Sequence, residues 1–484
     1  VINTTDAGSG AHTAYLNANV TISGTYSVTA VDSPSAFKII INSQASVTTT
    51  FSINVGLCQL KYYLTIGPQP PGVGYGIGTY GSGTFGTGVV VAAQVGTPIT
   101  AEDWSVDNFG KLGIACPKNG GIYYYDPNGG FVTAQLIPNA PLFNGGVFVA
   151  MPQQQIVAWG SSSSITLGYV QDALLVRYCD VGNLTTWTGT DTNQAGSYRL
   201  SSGSLIVGGR QGPQQGLLWT DLDLWAMSYI GGLLVYGFNK VGSNCGLIAQ
   251  HAHAVLGSDV FWMGQTNFYT YGGQGVQVLP CTVWDFVFQN INTTYKHKCI
   301  AASNTPFNEI WFFFPSAAST GENDSYVKYN TTEQSWDFGA LGRSAWTDQS
   351  VFGNPIGATA TGNLYQHEVT NNANGIQFAS TMRTAYWMLS EGEELIFVDW
   401  LLPDFKWGLY GGTEATELHI TIYATDYPGN TPQAFGPYTV TKASPYINVR
   451  IRARYMAIEV TSDDLDSFWR LGAVKYRWAT DGRR

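Results

Sequence analysis

The chain has 484 residues, too many for one small core, so two or three domains are expected. Charged residues make up only 12% while aromatics reach 14% and Gly numbers 57, which excludes a disordered polyelectrolyte and an ordinary helical enzyme. A formal net charge of −10 argues against a general polyanion-binding surface, since nucleic-acid affinity comes chiefly from Lys and Arg neutralising phosphates.

In chain order, residues 1–66 read as a small β domain, because TISGTYSVTAV and AFKIIINSQASVTTTFSINV alternate at period 2 between Ser, Gly and Asn turns. Residues 67–99 form a Gly-rich linker. Its segment PQPPGVGYGIGTYGSGTFGTG holds two G-x-G-x-x-G matches, at Gly76, Gly78, Gly81 and at Gly81, Gly83, Gly86. A dinucleotide site needs a preceding strand, a following helix and a later acidic residue, and no helical periodicity follows here. An extended surface or lumen loop is the expected reading.

From about residue 100 to 373 a hairpin theme recurs. NDSYVKYNTTEQSW, residues 323–336, alternates apolar and polar, breaks at four turn-formers and closes on Trp336. DALLVRYCDVGNLTTW matches it, with Val176, Arg177, Tyr178 and Trp187 paralleling Val327, Lys328, Tyr329 and Trp336. Looser variants are GGIYYYDPNGGF, GLLWTDLDLWAMSY, SDVFWMGQTNFYTYGG, NEIWFFFPS and TGNLYQHE. A recurrence of roughly 40 to 50 residues is the period of a four-stranded propeller blade. The expected fold class is therefore all-β, a β-propeller whose blade cores include Trp187, Trp225, Trp262, Trp311 and Trp336. Two sandwiches built of ordinary hairpins are the competing fold. After residue 373 come longer strands, ELIFVDWLLPDF, ELHITIYATDY, YINVRIRARYMAIEV and FWRLGAVKYRW, which suit a C-terminal β-sandwich over 374–484.

No run of about 18 apolar residues offers a membrane-spanning helix, and no charged-then-apolar signal segment opens the chain. Cysteines 58, 116, 179, 245, 281 and 299 are widely spaced, so reduced, mostly buried thiols and folding in a reducing cytosol are expected.

Candidates for chemistry are sparse. Glu309, Asp324, Glu333, Asp337 and Asp348 could gather at a propeller mouth as hydrolytic carboxylates, yet each fits a turn or strand end, and no catalytic residue is assigned. WSVDNFG at 104–110 has Ser105 and Asp107 two apart, as in a sialidase Asp-box, but its Gly and aromatic are misplaced, so it reads as a turn. His251 and His253 point the same way from a strand, with His297 the other nearby His; two ligands make no metal site. Asp221 with Asp223, and Asp463, Asp464 with Asp466, lack the Gly and bidentate Glu of a calcium loop. No cofactor is expected. In VRIRAR, period 2 sets Arg450, Arg452 and Arg454 on one strand face, suited either to pairing within the domain or to docking on an acidic neighbouring subunit. With the terminal Arg483 and Arg484 they are the subunit-interface candidates.

The ordered series RQGPQQGLLWTDLDLWAMSY, GSNCGLI, VFWMGQTNFYTYGGQGVQVLPC, FNEIWFFFPS, ENDSYVKYNTTEQSW and DDLDSFWRLGAVKYRWATDGRR resembles the tail nozzle, or tail hub, proteins of short-tailed bacteriophages, also called packaged-DNA stabilisation proteins. The resemblance covers about residues 100–484, and residues 1–66 resemble the small β insertions some of these proteins carry. It implies a non-enzymatic virion protein, assembled in the host cytoplasm, that forms a ring of six below the tail adaptor, contacts tail fibres, spikes or a plug, and conducts packaged DNA without sequence-specific binding. It also implies that the first part of the propeller precedes the insertion, so that Val1 is expected to begin inside the natural chain. An acidic lumen would let the duplex slide. The alternative is a carbohydrate-binding or glycan-cleaving propeller acting as a receptor-binding tail protein, in which Trp400, Trp407 and Trp469 stack on sugars.

Overall fold

The computed structural model describes residues 103–129, 134–163, 170–388, 390–408, 417–427 and 429–482, together with the backbone of four short strands nearer the N-terminus. Those four strands pair antiparallel, Thr13–Tyr15 with Thr50–Ser52 and Val28–Ser33 with Ala36–Ile39. The Gly-rich segment 72–88 and Cys58 lie outside the described residues.

Five four-stranded antiparallel sheets follow one another, each a meander whose spatial order is its chain order. Blade 1 runs Trp104–Phe109, Leu112–Pro117, Tyr123–Tyr125, Gln135–Leu136. Blade 2 runs Gly146–Ala150, Gln155–Trp159, Leu175–Tyr178, Gly196–Arg199. Blade 3 runs Ile206–Gln211, Gly216–Thr220, Leu224–Tyr229, Tyr236–Gly242. Blade 4 runs His253–Leu256, Asp259–Met263, Phe268–Gly272, Gly275–Leu279. Blade 5 runs Ile300–Asn304, Glu309–Phe314, Ser325–Asn330, Ser335–Ala340. The chain is all-β, and these meanders are the blades of a propeller.

The second strand of each of blades 2, 3 and 5 is buried at every position, as Glu309–Phe314 illustrates. A strand buried on both faces needs a cover on both faces, and the neighbouring blades supply it. The apolar clusters accordingly fall between successive blades. Phe109, Ile114, Ile156 and Trp187 join blades 1 and 2. Phe148, Val157, Leu218 and Met227 join blades 2 and 3. Trp219, Trp262, Phe268, Phe312 and Trp336 run from blade 3 through blade 5. First strands lie side by side, with Val147 N donating to Ser105 Oγ at 2.8 Å and Val149 N to Asp107 Oδ2 at 2.7 Å.

Two local expectations need correction. WSVDNFG is not a turn: Trp104–Phe109 is the first strand of blade 1, and the turn begins only at Gly110, with φ of 64°. The two hairpins compared above also differ. Trp336 sits on a strand opposite Tyr329, whereas Trp187 lies in the loop between the last two strands of blade 2, its indole donating to Leu184 O at 2.8 Å. That loop carries Trp187 inward, to 2% exposure, without any strand to hold it.

Contacts divide the chain into two compact units, the second comprising Ala302–Glu309 and Leu341–Arg484. The second unit holds a three-stranded sheet, Ala345–Thr347, Ile356–Ala358 and Leu364–Gln366. Beyond it two sheets form a β-sandwich. One orders Ser380–Arg383, Tyr455–Ser462, Leu418–Thr425 and Gln433–Val440, with Trp387–Met388 also on Tyr455–Ser462. The other orders Ile447–Ala453, Ile396–Trp407 and Trp469–Thr480. Strict alternation of buried with less buried residues along Leu418–Thr425 and Ile447–Ala453 turns Ile420, Ile422, Val449 and Ile451 into one shared core.

Trp262 is fully buried, donates to Cys245 O at 2.7 Å and meets Trp219 and Tyr269 ring to ring. Trp262→Ala should therefore destabilise the propeller unit by about 3–5 kcal/mol in denaturant titrations, while exposed Val278→Ala should change it by about 0.5 kcal/mol or less.

Candidate functional site on the first strands

Propellers present the first strands of their blades to a common axis, so polar side chains there are the ones a ligand would meet. Blade 1 spends two of its own on architecture. Ser105 Oγ, besides accepting from Val147 N, donates to Cys116 O at 3.4 Å, and Asp107 Oδ2 caps Val149 N. Each satisfies a backbone N–H of the next blade's first strand, a group that no ladder partner reaches on that side.

Three further polar residues lie on or beside the same strands. His251 Nε2 lies 2.6 Å from Asp103 Oδ1, tying the lead-in of blade 4 to the start of blade 1. His253 is buried and stacks on Trp219, centroids 4.8 Å apart and planes 7° from parallel. Burial pulls its pKa well below the usual imidazole range, with the Arg210 charge adding to the effect. Arg210, near the end of blade 3's first strand, reaches water, yet desolvation by its surroundings lowers its pKa while Asp107 acts in the opposite sense. Its guanidinium makes no hydrogen bond or ion pair with any described residue. The sequence signal for this group was the QHAHAV pair alone; nothing local pointed to Arg210.

The histidines expected to face the same way thus diverge in role, one against the Asp103 carboxylate and one stacked on Trp219. Among the described residues no group of three or more His, Cys, Asp or Glu could hold a metal ion. Asp221 accepts from Ser204 and Asp223 from Ser202, so TDLDL closes a turn at the edge of blade 3. Asp464 accepts from Glu417 N, and Asp466 pairs with Asn372. The candidate carboxylates are engaged apart from one another: Asp324 with Ser316, Asp337 with Lys328, Asp348 with Thr305. Glu309 differs, because fully buried Asn304 donates to Glu309 Oε2 at 3.4 Å and to Glu368 Oε1 at 3.1 Å, bringing two carboxylates to one amide.

Trp187, Trp225, Trp262, Trp311 and Trp336 are all buried. Of the arginine series, Arg450 and Arg452 project outward from Ile447–Ala453, but Arg454 does not share their face. The strand ends at Ala453, and the chain bends at 454 to enter the other sheet, which leaves Arg454 over the Tyr427 ring at 5.2 Å. Arg452 Nε lies 2.6 Å from Asp481 Oδ2, an intradomain pair, while Arg450 has no ion-pair partner among the described residues. Arg483 and Arg484 lie outside the described residues. The five described cysteines are free; burial pushes Cys116 and Cys179 up to about 12 and Cys245 to about 11. No helix among the described residues is long and apolar enough to cross a membrane.

Two shallow cavities flank these strands. One of about 360 Å³ is lined by Asp107, Asn108 and Tyr123, Tyr124, Tyr125 of blade 1. The other, about 280 Å³, lies between blades 2 and 3 and is lined by Met151, Gln211, Gln215, Ser228, Tyr229 and Tyr236.

No family model and no curated protein matches the chain. Among solved structures, an exo-β-1,3-galactanase from Phanerochaete chrysosporium is 9% identical over 78% of this chain and 97% of that one, with a TM-score of 0.28. Dihydro-heme d1 dehydrogenase NirN is 9% identical over 72% of this chain and 66% of that one, at 0.33. A chain of the mitotic checkpoint complex is 12% identical over 56% of this chain and 81% of that one, at 0.34. Scores so low carry no argument about function.

In the second unit, burial and the Arg343 charge hold His367 down to about 4, its Nε2 accepting from Arg343 Nε at 2.9 Å. An unfolded chain takes up this proton near 6.5 while the folded one resists it, so stability is complete above that pH and falls as pH drops toward 4. The thermal midpoint of this unit should fall across that window, and His367→Gln, which keeps an acceptor for Arg343, should flatten the slope.

Proposed function

We propose that the chain is a non-enzymatic structural subunit of a homo-oligomeric ring, and that the ring is the tail nozzle of a short-tailed bacteriophage, retaining packaged DNA and conducting it on ejection. The observation that carries the oligomeric part is the uncovered apolar surface around the three-stranded sheet. Val351 is 95% exposed, Phe352 78%, Leu364 73% and Ile376 68%, and the sheet's outer strands alternate exposed with half-buried residues. Large exposed apolar side chains recurring between Val351 and Ile376 mark a surface that a neighbour covers. Cyclic assembly supplies such a neighbour to every subunit through heterologous contacts. The ordered series of motifs supports the nozzle assignment, with an adaptor above and fibres or a plug below, and the virion as location. Outward Arg450, on a chain of net charge −10, is suited to an acidic facing surface.

Native mass spectrometry of the purified chain should show a closed ring, with six subunits expected, and Phe352→Asp with Val351→Asp should shift it toward monomer. A monodisperse, soluble monomer at micromolar concentration would overturn the assembly.

The second reading, a carbohydrate-binding propeller, is favoured by the cavity between blades 2 and 3. Neutral amides beside Tyr229 and Tyr236 are what sugar hydroxyls and apolar sugar faces require. If it holds, glycan-array binding should be saturable and Tyr229→Ala should reduce it by about tenfold or more, on the scale of one lost aromatic contact.

A further inference from the structure

Blades 3 and 4 meet at a place where several polar groups are left over. Gly208 and Arg210 point to the same side of their strand, since the register Gly208 to Trp219, Gly209 to Leu218 and Arg210 to Leu217 is regular. A Cβ added at Gly208 would lie 2.8 Å from Leu247 Cδ2 and 3.0 Å from Gln250 O, so that side faces the lead-in of blade 4 and admits no side chain. Arg210 is the next residue along it. Directly opposite Gly208, Trp219 stacks on His253.

Around this junction the buried polar inventory does not close. Gln250 is 4% exposed, and neither its amide nitrogen nor its amide oxygen has a partner; His253, 9% exposed, has an unpartnered Nδ1. Buried amide and imidazole groups left without a hydrogen-bond partner lose their hydration with nothing in return. Water could satisfy Gln250 and His253, while Arg210, exposed near the end of its strand, keeps a guanidinium fork that no described residue engages. Asp107, the nearest carboxylate in effect, already has one oxygen on Val149 N, and His251 is held by Asp103.

We propose that Arg210, backed by Gln250 and His253 at the junction of blades 3 and 4, is a binding site for a single oxyanion group, a carboxylate or a phosphate. A guanidinium fork takes either in two parallel charge-assisted bonds. Asp107 opposes the ligand's charge and sets an upper limit on affinity. This inference is independent of the assembly proposed above.

Isothermal titration with inorganic phosphate in one arm and glucuronate in the other separates the two sources of the anion. Saturable binding in at least one arm is expected. Arg210→Gln should weaken it about tenfold or more, the loss of one hydrogen bond to a charged group, and Arg210→Lys by less, because a point charge keeps attraction but not the fork. Asp107→Asn, which retains an acceptor for Val149 N, should tighten binding. Unchanged circular dichroism of each variant establishes that the fold is intact. Absence of saturation in both arms, or saturation that Arg210→Gln leaves unaltered, would overturn the site.

Discussion

The structure depends on one constraint: a four-stranded meander with apolar residues on both faces cannot be stable alone. Phe312, Phe313 and Phe314 in blade 5 are all fully buried, and consecutive strand residues point to opposite faces, so both faces must be covered at once. Water would otherwise meet two apolar surfaces for each sheet formed. Stacking blade on blade removes both, which is why the apolar clusters sit between blades and not within them. The polar ties of Ser105 and Asp107 then fix how far one blade can slide against the next. Burial supplies the energy of stacking, and these two hydrogen bonds supply its register.

The same constraint is met differently in the second unit. The three-stranded sheet of residues 345–366 half-buries Trp346 and Tyr365, while Leu364 on it and Val351 and Phe352 in its loop are exposed. The sandwich sheets beside it in sequence close their shared core through Ile420, Ile422, Val449 and Ile451. The same unit therefore holds a closed apolar core in the sandwich and exposed apolar side chains beside the smaller sheet.

Much of the fold was legible because period-2 patterns report burial directly. SYVKYN became a strand with alternating burial, and IWFFF became a strand buried on both faces, each for the reason its pattern suggested. Exceptions arose where tertiary contacts overrode local spelling. WSVDNF holds as a strand because its Ser and Asp serve the neighbouring blade, a partner 42 residues away. VRIRAR keeps its period only to Ala453, since the chain must leave one sheet for the other, and no residue in the motif announces that corner. The axial group was the least legible part. Asp107, Arg210 and His253 come from three blades, and only stacking brings them within reach of one another.

The buried thiols carry a consequence of another kind. Thiolate is the form that oxidises, exchanges and binds soft metals, and a group held near 12 is ionised at neutral pH in only about one molecule in 10⁵. Cys116 and Cys179 are chemically quiet while the fold persists, so this protein can pass from a reducing to an oxidising medium without covalent change at either site. Chemical ageing at these two sites is then set by how rarely blades 1 and 2 open.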